Sequence, residues 1–419
     1  MTVPRVEARR SFANPAGSPA PAAAALPRTA WIEVDLEAIR GNLGVIRALA
    51  GPRMPVLPVV KADAYGHGAI EVARALAASG ANGFCVATID EALVLRKAGI
   101  RRPILVLYPV PGPWIREAVR RRITITAGDP VLLSATFAAL DARPAGGPLR
   151  IQLEVETGLG RGGFMGPALV EAAQAVEDGS ATRLDGLWTH LQAPEDEAIT
   201  RRQIERFDQA VLDLRAAGVR MPRRHVRASG SLLSDGVESY GAVRPGLAVY
   251  GLVPDELAGA ALTPEAADLR PALSLLARPV RVADLPAGWG ISYGPTHRTD
   301  EPARIATLPI GYGDGWSRAL SNRAEALVRG NRVPLVGNVA MDAVMADVSA
   351  VPGTPVSVED EFVLIGSQGD EVITVADVAR ARGTNSWEVV TGLARRLPRV
   401  YHAASGPLVV RTLLSGGYG

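Results

Sequence analysis

Between residues 56 and 245 the chain repeats one pattern eight times: a short run of β-branched and aliphatic residues, followed by a longer stretch with apolar positions three and four apart. The runs are VLPVV (56–60), GFCVA (83–87), ILVL (104–107), ITITA (123–127), RIQLEV (150–155), LDGLW (184–188), HVRAS (225–229) and GAVRP (241–245). Strands that alternate with helices of this length form a parallel sheet. Eight such units close into a (β/α)8 barrel of the TIM type, whose functional groups gather at the C-terminal ends of the strands.

The polar residues that interrupt the pattern fall at those ends. Lys61 and Tyr65 follow the first run, Arg161 the fifth and His190 the sixth, while Ser229 ends the seventh and Arg244 lies in the eighth. Lys61 stands out further, because only it and Lys97 are lysines among 45 basic residues. Arginine can replace lysine as a charge but never as a neutral, nucleophilic amine. Lys97 suits the last turn of a helix before Gly99, where the helix dipole favours a cation. Lys61 follows a strand, so that explanation fails for it.

The rest of the chain frames this barrel. Residues 1–28, rich in proline, alanine, glycine and serine, read as a flexible tail without the apolar core of a secretory signal. The barrel is expected over 29–265. A mostly β domain is expected over 266–419, where runs such as RIATLPIGYGDGW and RVPLVGNVAMDAVMADV alternate with turn signals. WIEVDLEAIRGNL reads as a strand and then a helix capped by Asp35, one strand too many for the barrel, and is expected to pair with the second domain. A net charge of +2 with scattered arginines argues against nucleic acid. No run reaches the length of a membrane span. The single cysteine, Cys85, excludes an intramolecular disulfide and a cysteine metal cage, which fits a reducing cytoplasm; no metal is expected.

A lysine at a barrel mouth is either a point charge for an anion or an amine that forms a Schiff base. Its neighbours favour the second. Tyr65 sits in a glycine-rich turn, and Ser229 with Gly230 and Gly246 offers hydroxyl and amide donors suited to a phosphate. Together these point to pyridoxal phosphate.

The motifs VVKADAYGHG, ETGLGRGGF, LWTHL, VRPGLAVYGL, ISYGPT, IGYGDGW and VAMDAV, in this order over residues 31–401, resemble those of the alanine racemase family. The resemblance implies a homodimer with shared active sites that interconverts L- and D-alanine, supplying D-alanine for peptidoglycan. It implies that Lys61 holds the cofactor and that Tyr293, from the other subunit, is the acid/base on the opposite face. Arg161 and Met341 would line the substrate site, with Tyr312 at its entrance. Tyr65, Ser229, Gly246 and Leu247 would hold the phosphate, His190 would stack on the cofactor ring, and Arg244 would face its nitrogen. Asp342 falls in the matched MDAV motif as a supporting residue. A phenol needs a cation or hydrogen bond to act as a base near neutral pH, and the resemblance makes His225 the first candidate to supply it, since family members hold a histidine there in contact with the partner of that tyrosine.

Two positions depart from the family. Many relatives carry a carbamylated lysine seven residues before the substrate arginine; here Glu154 stands there and is expected to offer its own carboxylate to Arg161. Arg395 occupies a position where some relatives place a phosphate-contacting tyrosine. A serine or broad-specificity racemase would share nearly all these residues. A barrel-type decarboxylase would need a glycine-triplet loop and a catalytic cysteine in the C-terminal half, and a non-enzymatic cofactor-binding protein would lack residues 266–419.

Overall fold

The computed structural model describes residues 26–140, 147–234, 237, 240–404 and 406–415. The chain divides into two compact units. One is Ala38–Pro271; the other joins the described residues before Ala38 to those from Ala272 onward, so the division falls at Ala272 rather than 266.

The first strand, β1 (Ala30–Asp35), belongs to the second unit, where it pairs antiparallel with Leu273–Ala277 and parallel with Arg399–Ala403. Asp35 accepts the N–H of Glu37 at 2.8 Å and so caps the helix Leu36–Ala50.

Six strands of the barrel unit form a parallel sheet in chain order: β2 (Phe84–Val86), β3 (Ile104–Val106), β4 (Thr124–Ala127), β5 (Leu149–Glu154), β6 (Thr182–Trp188) and β7 (Arg223–His225). Every residue of β2, β3 and β4 is buried, as expected of a parallel sheet covered on both faces. Runs 56–60 and 241–245 close the ring through single bridges, Val59 to Cys85, Val56 to Val243 and Ala242 to His225. The bridges themselves are complete, since Leu57 donates to Val243 O and Val60 to Cys85 O, and proline explains why no ladder extends from them: Val59 donates to Pro245 O, but Pro58 and Pro245 have no N–H to carry the pairing further.

The seventh strand ends at His225, earlier than the run 225–229 suggested, and Ser229 opens a short helix, Ser229–Leu233, instead of ending a strand. Ala228 leaves the ladder because its N–H donates to Ser231 Oγ at 3.1 Å. On β5, Ile151 and Leu153 alternate with Gln152 and Glu154, which therefore share the opposite face. Gln152 is buried so close to β6 that a Cβ on Gly186 would lie 2.5 Å from its amide carbon.

The second unit is built on an eleven-stranded sheet that includes β1. Residues 1–25 of the expected tail lie outside the described residues. Arg28 is anchored, contrary to the tail reading: it meets the buried carboxylate of Asp314 at 2.7 Å and the carbonyl of Pro309 at 3.0 Å. Proline-rich composition at 1–28 concealed this one specific partner.

Candidate active site

Lys61 leaves the first barrel segment and enters a turn of the wrong hand. Ala62, Asp63, Ala64 and Tyr65 have φ of 51°, 55°, 55° and 51°, a full left-handed turn without a glycine. Such a conformation costs roughly 1–2 kcal/mol per residue, so its surroundings must hold it. Asp63 Oδ1 accepts the N–H of Ala69 at 2.8 Å, and Gly66 N–H closes on Ala62 O at 3.0 Å. His67 Nδ1, bonded to Tyr65 O at 2.9 Å, must carry the proton there and is part of the same turn. The turn leaves Lys61 half-buried. Burial pushes its ammonium below the ordinary lysine range and Arg161 adds to this, while Glu91 opposes it.

Arg244 is buried and forms the centre of a polar network. It donates to Thr189 O at 2.6 Å, to His225 O at 2.9 Å and to His225 Nδ1, and its guanidinium lies 4.8 Å from the Trp188 ring centroid. Burial lowers it to about 10, still protonated at neutral pH. A guanidinium can only donate, so His225 Nδ1 is an acceptor and the ring proton sits on Nε2, which donates to Gln152 Oε1 at 2.7 Å. Both nitrogens of His225 are therefore occupied. It has none to offer a phenol, and burial followed by the charge of Arg244 holds it neutral, which removes it as the group that would activate Tyr293.

Around this network stand the other expected groups. His190 is pushed down to about 3 by burial and then by Arg244, Arg161 and Lys61, so it is a neutral ring among cations. Glu154 lies 3.4 Å from Arg161; burial raises its carboxyl above the ordinary range and Arg161 opposes that. Ser229 Oγ accepts the N–H groups of Gly246 at 2.8 Å and Ala248 at 3.2 Å. A Cβ on Gly246 would stand 2.7 Å from the Tyr65 hydroxyl, so this approach requires glycine. Burial raises the Tyr65 phenol well above its usual pKa, keeping it a donor. No acceptor among the described residues meets the N–H of buried Leu247.

The second unit mounts its expected residues on one segment, 338–342. Asn338 Nδ2 donates to Tyr293 O at 2.8 Å and Gly294 O at 3.0 Å. Tyr312 N–H donates to Ala340 O at 3.0 Å and Gly313 N–H to Met341 O at 2.9 Å. Asp342 pairs with Arg396 at 2.6 Å, which also holds Asp314 at 2.7 Å. Tyr293, Tyr312 and Met341 themselves are exposed, Tyr293 to 80%.

Two family models cover most of the chain: alanine racemase, N-terminal domain, over residues 34–254, and alanine racemase, C-terminal domain, over 272–401. The chain belongs to the alanine racemase family. It is 38% identical to the alanine racemase of Desulfosudis oleivorans over 91% of this chain and 99% of that one. With that of Symbiobacterium thermophilum it shares 41% identity over 89% and 97%. Among solved structures, the Bacillus anthracis alanine racemase with bound L-Ala-P superposes with a TM-score of 0.86 at 33% identity, covering 93% of this chain and 99% of that one. That from Streptomyces coelicolor gives 0.82 at 36%, covering 89% and 98%.

Within this member of the family, two glutamines with no expected role are structurally central. Gln152 sets the His225 tautomer. Gln203 donates to Thr157 Oγ1 at 3.1 Å and to His190 O at 3.2 Å, bracing the loops after β5 and β6. The signal for Gln152 was present in its alternation with Ile151 and Leu153; Gln203, one polar residue in a polar helix, had none. The glycine-rich stretch 158–163 opens no helix, since the next begins at Gly166, so it has no nucleotide-loop geometry. No helix among the described residues is long and apolar enough to cross a membrane, and no metal-ligating cluster occurs among them.

Proposed function

We propose that this protein interconverts L-alanine and D-alanine with pyridoxal phosphate, and that Lys61 holds the cofactor. The observation that carries this reading is the amine of Lys61: half-buried at a barrel mouth, held there by a left-handed turn, and depressed by burial and by Arg161. The cradle beside it fits a phosphate. Tyr65 keeps its phenolic proton, Ser229 retains an O–H after accepting two N–H groups, and Leu247 has a buried N–H without an acceptor. When bound, the cofactor supplies an aldehyde for an amine and a ring that withdraws electrons from the substrate α-carbon.

The remaining chemistry belongs to this chain. Racemisation removes a proton from one face of the α-carbon and returns one to the other, so two acid/base groups must flank it. Lys61 serves one face at Nζ and Tyr293 the other at Oη. Arg161 binds the substrate carboxylate, positioned by Glu154, and Met341 and Tyr312 limit the space for the side chain. Arg244, held by three backbone or ring acceptors, presents a donor that cannot be deprotonated to the cofactor ring nitrogen. Asp342 steadies the Tyr312 turn through Arg396. The exposure of Tyr293 supports a homodimer in which each subunit lends this phenol to the other. The single, buried Cys85 supports a cytoplasmic setting, and D-alanine for peptidoglycan is the product's use.

The test is racemisation of L-alanine, L-serine and L-lysine by the purified enzyme beside Lys61→Ala. Alanine is expected to turn over fastest, and the variant to lose both turnover and the visible absorbance of the lysine–cofactor link; retention of both defeats the reading. Tyr293→Phe is expected to give unequal solvent deuterium incorporation from the two enantiomers. For Glu154→Gln we expect KM for alanine to rise by about tenfold or less with a smaller change in kcat, as for a lost charged contact; unchanged KM and kcat would remove Glu154 from the site.

A further inference from the structure

We infer that Glu91 is a positioning residue for Lys61: its carboxylate pins the start of the left-handed turn and sets a negative charge beside the amine. Glu91 lies at the third position of the helix Ile89–Lys97, where its sequence context, TIDE, announces nothing beyond a capping box. The two carboxylate oxygens divide their work. Oε2 serves the cap, accepting the N–H of Ala87 at 2.7 Å and of Thr88 at 3.4 Å. Oε1 is not needed there and instead accepts the N–H of Ala62 at 2.6 Å, across 29 residues of chain.

Ala62 follows Lys61 and is the first residue of the turn with positive φ. Its N–H is one of those that a helical turn leaves without an internal acceptor. Asp63 secures the far end of the turn through Ala69, and Glu91 secures the near end, where the lysine departs. Charge points the same way. Arg161 destabilises the Lys61 ammonium and Glu91 is the carboxylate that opposes it. The helix cap of the second βα unit thus acts on the reactive amine of the first.

The inference rests on Lys61 being the cofactor-holding amine, and the titration arm of its test works without that premise. Reductive 13C-methylation of the full chain labels only Lys61 and Lys97 among side chains, so the Lys61 titration can be read directly after cofactor removal. Glu91→Gln is expected to lower the Lys61 pKa by about one unit, a tenfold loss of proton affinity, and to leave Lys97 unchanged. In the holoenzyme the same variant is expected to release cofactor to hydroxylamine roughly tenfold faster, a consequence of a misplaced linkage. Glu91→Asp, which keeps the charge on a shorter stem, should leave the titration near wild type and still speed cofactor release. Thr88→Ala weakens the same helix cap and should lower Tm while moving neither readout.

The inference is overturned if Glu91→Gln leaves the Lys61 titration unchanged, if Glu91→Asp leaves cofactor release unchanged, or if Thr88→Ala shifts both as much as Glu91→Gln. Failure of the functional reading looks different. In that case Lys61→Ala keeps the visible cofactor absorbance, while the 13C titration still decides the role of Glu91.

Discussion

The two units present their chemistry in opposite ways. In the barrel unit the polar groups around Arg244 are buried and each fixes the next: Gln152 sets His225, His225 receives Arg244, and Arg244 also binds Thr189. In the β unit the corresponding side chains, Tyr293, Tyr312 and Met341, stand in the open, and only their backbones are tied down. A buried network is rigid because leaving any member unpaired carries a desolvation penalty. An exposed set is fixed only through its backbone and carries no such penalty at its side chains.

The contrast predicts unequal responses to mutation. Arg244→Leu strands buried acceptors at His225 and Thr189, and should cost about 3 kcal/mol or more of unfolding free energy in urea. A loss below about 1 kcal/mol would mean that the network is looser than its geometry. Acid should separate the units next. His190 and His225 sit well below their ordinary 6.5 in the folded barrel, so below that pH the unfolded chain takes up two protons that the folded one refuses. Their contribution is complete above pH 6.5 and falls with pH, by about 1.4 kcal/mol per unit for each histidine, until His190 itself titrates at about 3.

In the β unit burial works to raise Asp314, but bonds from Arg28 and Arg396 bring it below 3.8. Its contribution is present above that value and is lost only as pH falls through the lower, folded one. Hydrogen exchange near pH 5 should therefore rise in barrel peptides before β-unit peptides, and the reverse order would contradict the comparison. The smallest effect is expected from Asn338→Ala, which frees the carbonyls of Tyr293 and Gly294. Tm should move by only a few degrees, while kcat falls by about tenfold through a misaimed phenol.

The sequence shows the barrel through periodicity, since strand and helix periods survive any detail of packing. Lys61 is legible for a different reason: in a chain that otherwise uses arginine it is one of two lysines, and Lys97 is accounted for by a helix end. What stayed hidden depends on partners distant in sequence. The role of His225 turns on which nitrogen holds the proton, and that is fixed by Gln152, 73 residues before it, and Arg244, 19 after it. The handedness of Ala62–Tyr65 was invisible because positive φ is normally read from glycine or asparagine, and ADAY contains neither. Prolines at 58 and 245 kept the first strand from forming a regular ladder while leaving its apolar pattern intact.

The left-handed turn also bears on protein engineering. Copying residues 59–68 into another barrel would transfer the letters without the shape, because an ADAY sequence left to itself relaxes to the right-handed form. The smallest portable piece extends through the helix Ile89–Lys97, whose carboxylate reaches back to Ala62. A graft of the reactive lysine is a graft of two successive βα crossings.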